Sequence, residues 1–345
     1  MSTSDLIDAV LKKVPQADPS MILELIVSCD ADLNRVFALL GIQSASKKRQ
    51  MTFDTRTTDK PAKVTKTSSD LVPLYSSEQV DNANICCTLH QNFLDPSLAN
   101  QLALTLNEEA KDWKYRKFHL FEREVQSGHS NAIYSSDDAI ISGEKRMMYQ
   151  GMPISHLHPM SPEMARASQQ VQEFVRQFSP NWCSQVCVTN RYAGRGEKLD
   201  YHSDQLTNLG PKPIIAALSL GCSREFRIKD RRVPPRRPTY SIRIPHNSLL
   251  IMHPGCQEQF KHCVPPVSNL DPDPLLGTVR ISLTFRHYKS NVSPPKCRCN
   301  EPMLMRTTLP DPAGKYKYIW QCSQHYVGKM GCNETKVYDS LTNTK

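Results

Sequence analysis

His202-Ser203-Asp204 stands 60 positions ahead of His262 in this chain. Two imidazoles and one carboxylate with open positions opposite form the facial set of donors that holds non-haem Fe(II). The single residue between His202 and Asp204 lets both side chains leave an extended segment on one side. His262, in Phe260-Lys261-His262-Cys263, would then be brought beside them by a distant strand. His253, in Met252-His253-Pro254-Gly255, is a rival distal ligand. His262 is preferred because it precedes Pro265-Pro266 just after a turn signal, whereas a lone histidine more often satisfies a local hydrogen bond. Cys222, Cys256 and Cys263 read as small core residues.

A second pattern supplies what such an iron would need. In Arg280-Ile281-Ser282-Leu283-Thr284-Phe285-Arg286 the alternation puts both arginines, Ser282 and Thr284 on one face of a strand. A buried guanidinium requires an anion, and its fork matches a carboxylate such as a dicarboxylate co-substrate carries. Alone, this strand would read as an outward basic edge; beside the triad it reads as an anion site.

The third pattern lies in the tail. Cys297-x-Cys299, Cys322 and Cys332 surround Tyr316, Tyr318 and Trp320, after Pro294-Pro295. Four thiolates in a segment too short for its own core are what a structural Zn(II) site requires, because the metal supplies folding energy that burial cannot. His325 is an alternative ligand. The segment 289–345 holds nine Lys and Arg against four Asp and Glu. Its basic and aromatic residues are of the kinds that track phosphates and stack bases.

Charge is unevenly spread along the chain. The formal balance is +9, yet residues 1–42 hold six acids against three bases. Arg224, Arg227, Lys229, Arg231, Arg232, Arg236, Arg237 and Arg243 face only Glu225 and Asp230. That block is either a phosphate-backbone footprint or the solvated face that most charge runs turn out to be. The first residues carry no secretory pattern and no stretch is apolar enough to cross a bilayer. The 12 cysteines therefore read as thiols and metal ligands in a reducing compartment.

A chain of 345 residues accommodates one catalytic domain and one or two small modules. Residues 1–42 are expected to form three short helices, with Pro15 stopping the first, Asp18-Pro19 opening the second and Gly41 ending the third. Residues 43–84 read as a polar linker, within which Lys47-Lys48-Arg49 would address the chain to the nucleus; without it the chain would be cytoplasmic. Residues 85–290 read as an α+β domain. Helices are expected over Pro96–Trp113, anchored by Leu102, Leu104 and Leu106, and from Ser161-Pro162-Glu163 onward, burying Met164, Ala167, Val171, Phe174, Val175 and Phe178. Strands are expected at Val186–Tyr192, Ile214–Leu220, Glu225–Ile228, Thr239–Ile244, Ser248–Met252 and Val279–Tyr288. Short strands after helices point to an antiparallel barrel or a two-sheet jelly roll with helices on one side.

The succession Asn190-Arg191-Tyr192, His202-Ser203-Asp204, Ile214–Gly221, Ser248–Met252, His262, Arg280–Arg286 resembles the AlkB family of Fe(II)- and 2-oxoglutarate-dependent dioxygenases. The resemblance implies a double-stranded β-helix in which His202, Asp204 and His262 bind iron. It also implies that Asn190, Tyr192, Arg280, Ser282 and Arg286 hold 2-oxoglutarate, and that an N-alkyl carbon of a DNA or RNA base is hydroxylated and lost as an aldehyde. Two positions depart from the family: Ser282 replaces an asparagine, and Leu206 replaces an acidic residue that contacts the damaged base. Residues 1–42 resemble a CUE domain, which implies ubiquitin binding through Val14-Pro15 and Leu39-Leu40. Residues 291–345 resemble a GRF-type zinc finger, which implies Zn(II) on Cys297, Cys299, Cys322 and Cys332 and a grip on single-stranded nucleic acid. An RNA demethylase or protein hydroxylase on the same fold, and a scaffold with a vestigial iron site, are the alternatives.

Overall fold

A computed structural model describes residues 3–15, 22, 26, 33, 36–37, 71–120, 123–144, 148–149, 152–153, 157–232, 237–289, 294–311, 313–326, 332 and 334–338. Its centre is a pair of sheets. The larger runs Cys87–Gln91, Ser248–Met252, Ile215–Gly221, Arg280–Arg286, Val186–Tyr192, Arg123–Ser135, Lys114–Leu120, with His158–Pro159 pairing against Arg123–Ser135. The smaller runs Leu71–Leu74, Thr239–Ile244, Arg224–Asp230, Phe260–Val264, Leu199–His202.

Alternation divides each strand between two environments. On Arg280–Arg286 the residues Ile281, Leu283 and Phe285 point outward from the barrel and pack with Leu102, Leu106, Met164 and Val171 of the two long helices. The opposite set, Arg280, Ser282, Thr284 and Arg286, faces the space between the sheets, whose apolar part is lined by Val186, Val188, Ile215, Phe226, Ile228 and Leu250. One strand thus closes the hydrophobic core with one face and lines the interior with the other.

The two long helices have the expected starts. Asp95 accepts from the amides of Ser97 and Leu98 to open Pro96–Glu109, and Ser161 accepts from Met164 to open Pro162–Arg176. Two anchors differ from expectation. Leu104 is exposed while Leu102 and Leu106 are buried, because residues two apart on a helix cannot share its face. Phe178 lies beyond the end of its helix and is likewise exposed.

The domain also begins earlier than residue 85. Leu71–Leu74 pairs in parallel with Thr239–Ile244 as the edge of the smaller sheet, and Ser77–Asn82 is a helix opened by a Ser76/Gln79 capping box. Residues 71–84 therefore belong to the barrel and not to a linker; Pro73 is tolerated because an edge strand has one row of amides to spare.

At the N-terminus, Thr3–Leu11 is helical, as are Ile22, Ile26, Leu33, Val36 and Phe37. Leu6, Ile7, Val10, Ile22, Ile26, Val36 and Phe37 are buried. Pro19, Leu39, Leu40 and Gly41, and with them most of the second and third expected helices, lie outside the described residues. No described helix is long and apolar enough to cross a membrane.

The tail forms a three-stranded sheet, Met303–Thr307, Tyr318–Cys322, Thr335–Val337. The sheet packs against the barrel. Met303, Met305, Trp320, Cys297 and Cys322 share one buried cluster with Leu206 of the barrel.

Candidate active site

Strand register brings the triad together. His202 ends Leu199–His202, which pairs antiparallel with Phe260–Val264 so that His202 and His262 are direct partners. Ser203 Oγ donates to the Phe260 carbonyl at 2.8 Å, which fixes the turn that swings Asp204 under the two imidazoles. The donor atoms of His202, Asp204 and His262 lie within 4.8 Å of one another. Asp204 Oδ1 is 3.5 Å from His202 Nε2 and 3.7 Å from His262 Nε2.

Each ligand is prepared electrostatically. His202 Nδ1 lies 2.9 Å from the Asp200 carbonyl, which can only accept, so Nδ1 is the donor there and Nε2 is the nitrogen turned to Asp204. Burial pushes His262 down to about 3, which leaves it a neutral imidazole at ordinary pH. Its ring stacks on Phe226 at 5.2 Å. Burial alone would raise the Asp204 carboxyl, but the Arg286 guanidinium and the two histidines hold it well below the usual carboxylate range. The Asp204 amide donates to Gln257 Oε1 at 2.8 Å.

The arginine-bearing face is equally ordered. Arg280, Ser282, Tyr192 and Asn190 meet through the pairing of Arg280–Arg286 with Val186–Tyr192, which sets Arg280 opposite Tyr192 and Ser282 opposite Asn190. Arg280 is 3% exposed; Nη2 donates to Ser219 Oγ at 2.7 Å, and its guanidinium lies over the Tyr192 ring at 5.3 Å. Among the described residues Nε and Nη1 have no hydrogen-bond partner. Buried donors of a fixed cation without an acceptor are costly, and the chemistry they fit is a carboxylate. Asn190 is held by His129, whose Nε2 is 3.1 Å from its Oδ1 and whose Nδ1 is 3.0 Å from the Lys198 carbonyl. Arg286 lies on the same interior face, and its Nε and Nη2 both donate to Asp204 Oδ2.

Other expectations resolve on geometry. His253 is 2.9 Å from Thr88 Oγ1 and packs on Phe178, away from the triad. Cys256 lies 3.8 Å from Cys87, and Cys222 donates to the Asp271 carbonyl. Most of the described cations of the basic block have partners within the chain. Arg224 donates to three carbonyls, of Gly194, Glu197 and Pro265, Arg227 pairs with Glu225, Arg232 with Asp230, and Arg243 with Asp271. Lys229 sits on the Tyr201 ring and Arg237 donates to the Asn84 carbonyl. These contacts tie loops and strands together, while Arg243 stays exposed and Arg236 lies outside the described residues.

The four tail cysteines also converge, their sulfurs within 4.8 Å of one another, with Cys297 to Cys332 at 3.2 Å and Cys299 to Cys322 at 3.4 Å. Tetrahedral thiolates about 2.3 Å from a zinc ion would stand a little under 4 Å apart, so the cluster fits the metal. The His325 side chain lies outside the described residues.

With the triad and the arginine face in view, the comparisons with known proteins fall into place. The 2OG-Fe(II) oxygenase superfamily model matches residues 86–286. The chain belongs to this superfamily. The oxygenase is 35% identical over 106 residues to Alpha-ketoglutarate-dependent dioxygenase alkB homolog 3 of Homo sapiens, which is 29% of this chain and 35% of that protein. It is 30% identical over 119 residues to DNA oxidative demethylase ALKBH2 of Arabidopsis thaliana, 29% of this chain and 36% of that protein. The match thus spans little more than a third of either relative. A solved structure, that of OsALKBH1, is 18% identical with a TM-score of 0.40, covering 58% of this chain and 97% of that one.

His129, Ser219, Gln257 and Glu258 also support the site. None carries a local signal, since each acts on a partner far away in the chain.

Proposed function

We propose that this oxygenase uses Fe(II) and 2-oxoglutarate to remove alkyl groups from the bases of nucleic acid. The observation that carries the reading is Arg280, a buried guanidinium with two donors unfilled, on the same interior surface as a two-histidine, one-carboxylate triad. Bound iron would supply activation of oxygen for hydroxylation of an N-alkyl carbon. The chain's own part is to orient and to exclude water. Arg280, with Ser219 as its brace, takes the distal carboxylate of the dicarboxylate; Asn190, Tyr192 and Ser282 border it. Arg286 holds Asp204 ionised with Oδ1 turned to the histidines, so that the ligand set is assembled before any metal arrives.

The substrate class rests on likeness to relatives named as an alkB homolog and a DNA oxidative demethylase. A base must leave its stack to enter such a barrel, and single-stranded DNA or RNA lowers that cost. The four cysteines are read as a Zn(II) site, and the basic, aromatic tail as a grip on single strands. The N-terminal segment, residues 1–42, is read as binding ubiquitin through Val14-Pro15 and Leu39-Leu40. Titration of labelled ubiquitin with the full chain should move its NMR peaks; a spectrum unchanged at millimolar concentration would remove that part of the reading. The enzymatic part is tested by succinate formation from 2-oxoglutarate, which should require iron and the Asp204 carboxylate.

A further inference from the structure

Gln257 and Glu258 are consecutive residues with two different clients. Gln257 Oε1 accepts the amide of the iron ligand Asp204 at 2.8 Å. Glu258 Oε1 accepts the Tyr318 hydroxyl of the tail at 3.0 Å and the Lys212 amide at 2.8 Å. Both side chains are within 1% of complete burial, in the short helix Cys256–Gln259 that leads directly into the strand bearing His262.

Three further contacts close the same junction. Arg231, itself buried, donates through Nη1 to the carbonyls of Gln257 and Glu258 at 3.2 and 3.1 Å and to Thr307 Oγ1 of the tail at 2.5 Å. Thr207 Oγ1 accepts the Met305 amide at 3.0 Å, satisfying an edge group of the tail's three-stranded sheet. Leu206, two residues past Asp204, is 3% exposed and completes the tail's apolar cluster with Met303, Met305 and Trp320. The tail's small core is thus finished by the very segment that carries an iron ligand.

We propose that the cysteine-rich tail is a wall of the iron site, and that Glu258, Tyr318, Leu206 and Thr207 are positioning residues that set Asp204 through Gln257 and the 204–209 segment. The tail acts as a clamp in addition to any contact it makes with nucleic acid. Without the Tyr318 hydroxyl, Glu258 keeps only the Lys212 amide as donor and is held less firmly, and any shift of it carries Gln257, the adjacent residue. A leucine without its cover likewise pulls the segment after Asp204 out of register. The iron reading is needed only for the catalytic consequence; the mechanical link stands on the contacts themselves.

The test uses the full chain and two variants, Tyr318→Phe, which removes one hydroxyl, and Leu206→Ala. Hydrogen exchange of the peptide spanning 203–210 reads the clamp directly, and Mn(II) affinity by electron paramagnetic resonance reads the triad without turnover. The clamp predicts that protection of 203–210 falls about tenfold in both variants, the scale of one lost hydrogen bond to a charged group. Mn(II) affinity should fall at least about threefold with it, while zinc content stays that of the unaltered chain. Tyr318→Phe/Glu258→Gln should cost no more than Tyr318→Phe alone. Unchanged protection at 203–210 in both single variants overturns the inference. Loss of protection in a chain whose triad takes no Mn(II) supports the clamp and removes the iron reading instead.

Discussion

Asp204 presents one oxygen to each of two tasks. Oδ2 accepts Nε and Nη2 of Arg286 at 2.9 and 2.6 Å, and Oδ1 is left facing His202 and His262 at 3.5 and 3.7 Å. Both partners of the ion pair are more than nine-tenths buried, so the arginine acts as a fixed counter-charge that keeps a buried carboxylate ionised and aimed.

Removing that counter-charge should be felt in the fold as well as the site. Arg286→Met leaves Asp204 buried without its partner, at a cost of about 3–5 kcal/mol. Thermal unfolding of the variant should occur well below that of the parent. Arg286→Lys should recover only part of the loss, because a point charge cannot make the fork. An Arg286→Met chain that unfolds at the same temperature as its parent would mean that the pair does not persist in solution.

Arg280→Ala should leave the iron ligands in place and raise the 2-oxoglutarate concentration for half-maximal succinate formation by about a hundredfold or more, since a desolvated ion pair is lost. Saturated turnover should change far less. A requirement unchanged by the substitution would assign the unfilled donors to some other acceptor.

Much of this site is readable in sequence, for reasons particular to its residues. His202 and Asp204 are neighbours on an extended segment, and Arg280 to Arg286 alternate so regularly that one face declares itself. The strands Val186–Tyr192, Thr239–Ile244 and Ser248–Met252 have the expected bounds because apolar β-formers end there at turn residues. The hairpin of Lys114–Leu120 with Arg123–Ser135 is different: polar residues occupy both of its faces, so no period of two appears. Leu71–Leu74 is too short and too proline-marked to stand out from the polar residues before it. Leu206 is the instructive case. Its type reads as an oddity beside an iron ligand, and only the fold reveals the tail cluster that covers it.

The arginine-rich block offers a separation of stability from binding. Arg224 is buried and donates to three carbonyls, two of them in the loop after Tyr192 and the third at Pro265, so Arg224→Ala should lower the unfolding temperature, with a loss on the order of 2 kcal/mol or more. The salt dependence of single-strand affinity should not change, because no phosphate contact is lost. A shallower salt slope in this variant would return the block to the nucleic-acid surface.

Zinc should be part of the folded tail. Metal analysis of the purified chain is expected to find one zinc per chain, and Cys322→Ser should lose it. Trp320, buried against Leu206 and the cysteines, should then shift its fluorescence to the red. A Cys322→Ser chain that keeps both zinc and a buried Trp320 would exclude the four-cysteine site.

Oxidative dealkylation of bases is tested by incubating the full chain with Fe(II), 2-oxoglutarate, oxygen and a panel of N-methylated DNA and RNA strands, and weighing the strands by mass spectrometry. At least one strand should lose the mass of its methyl substitution with formaldehyde released in equal amount, and Asp204→Ala should abolish the loss. A chain that binds metal and 2-oxoglutarate yet leaves every methylated strand unchanged would contradict it.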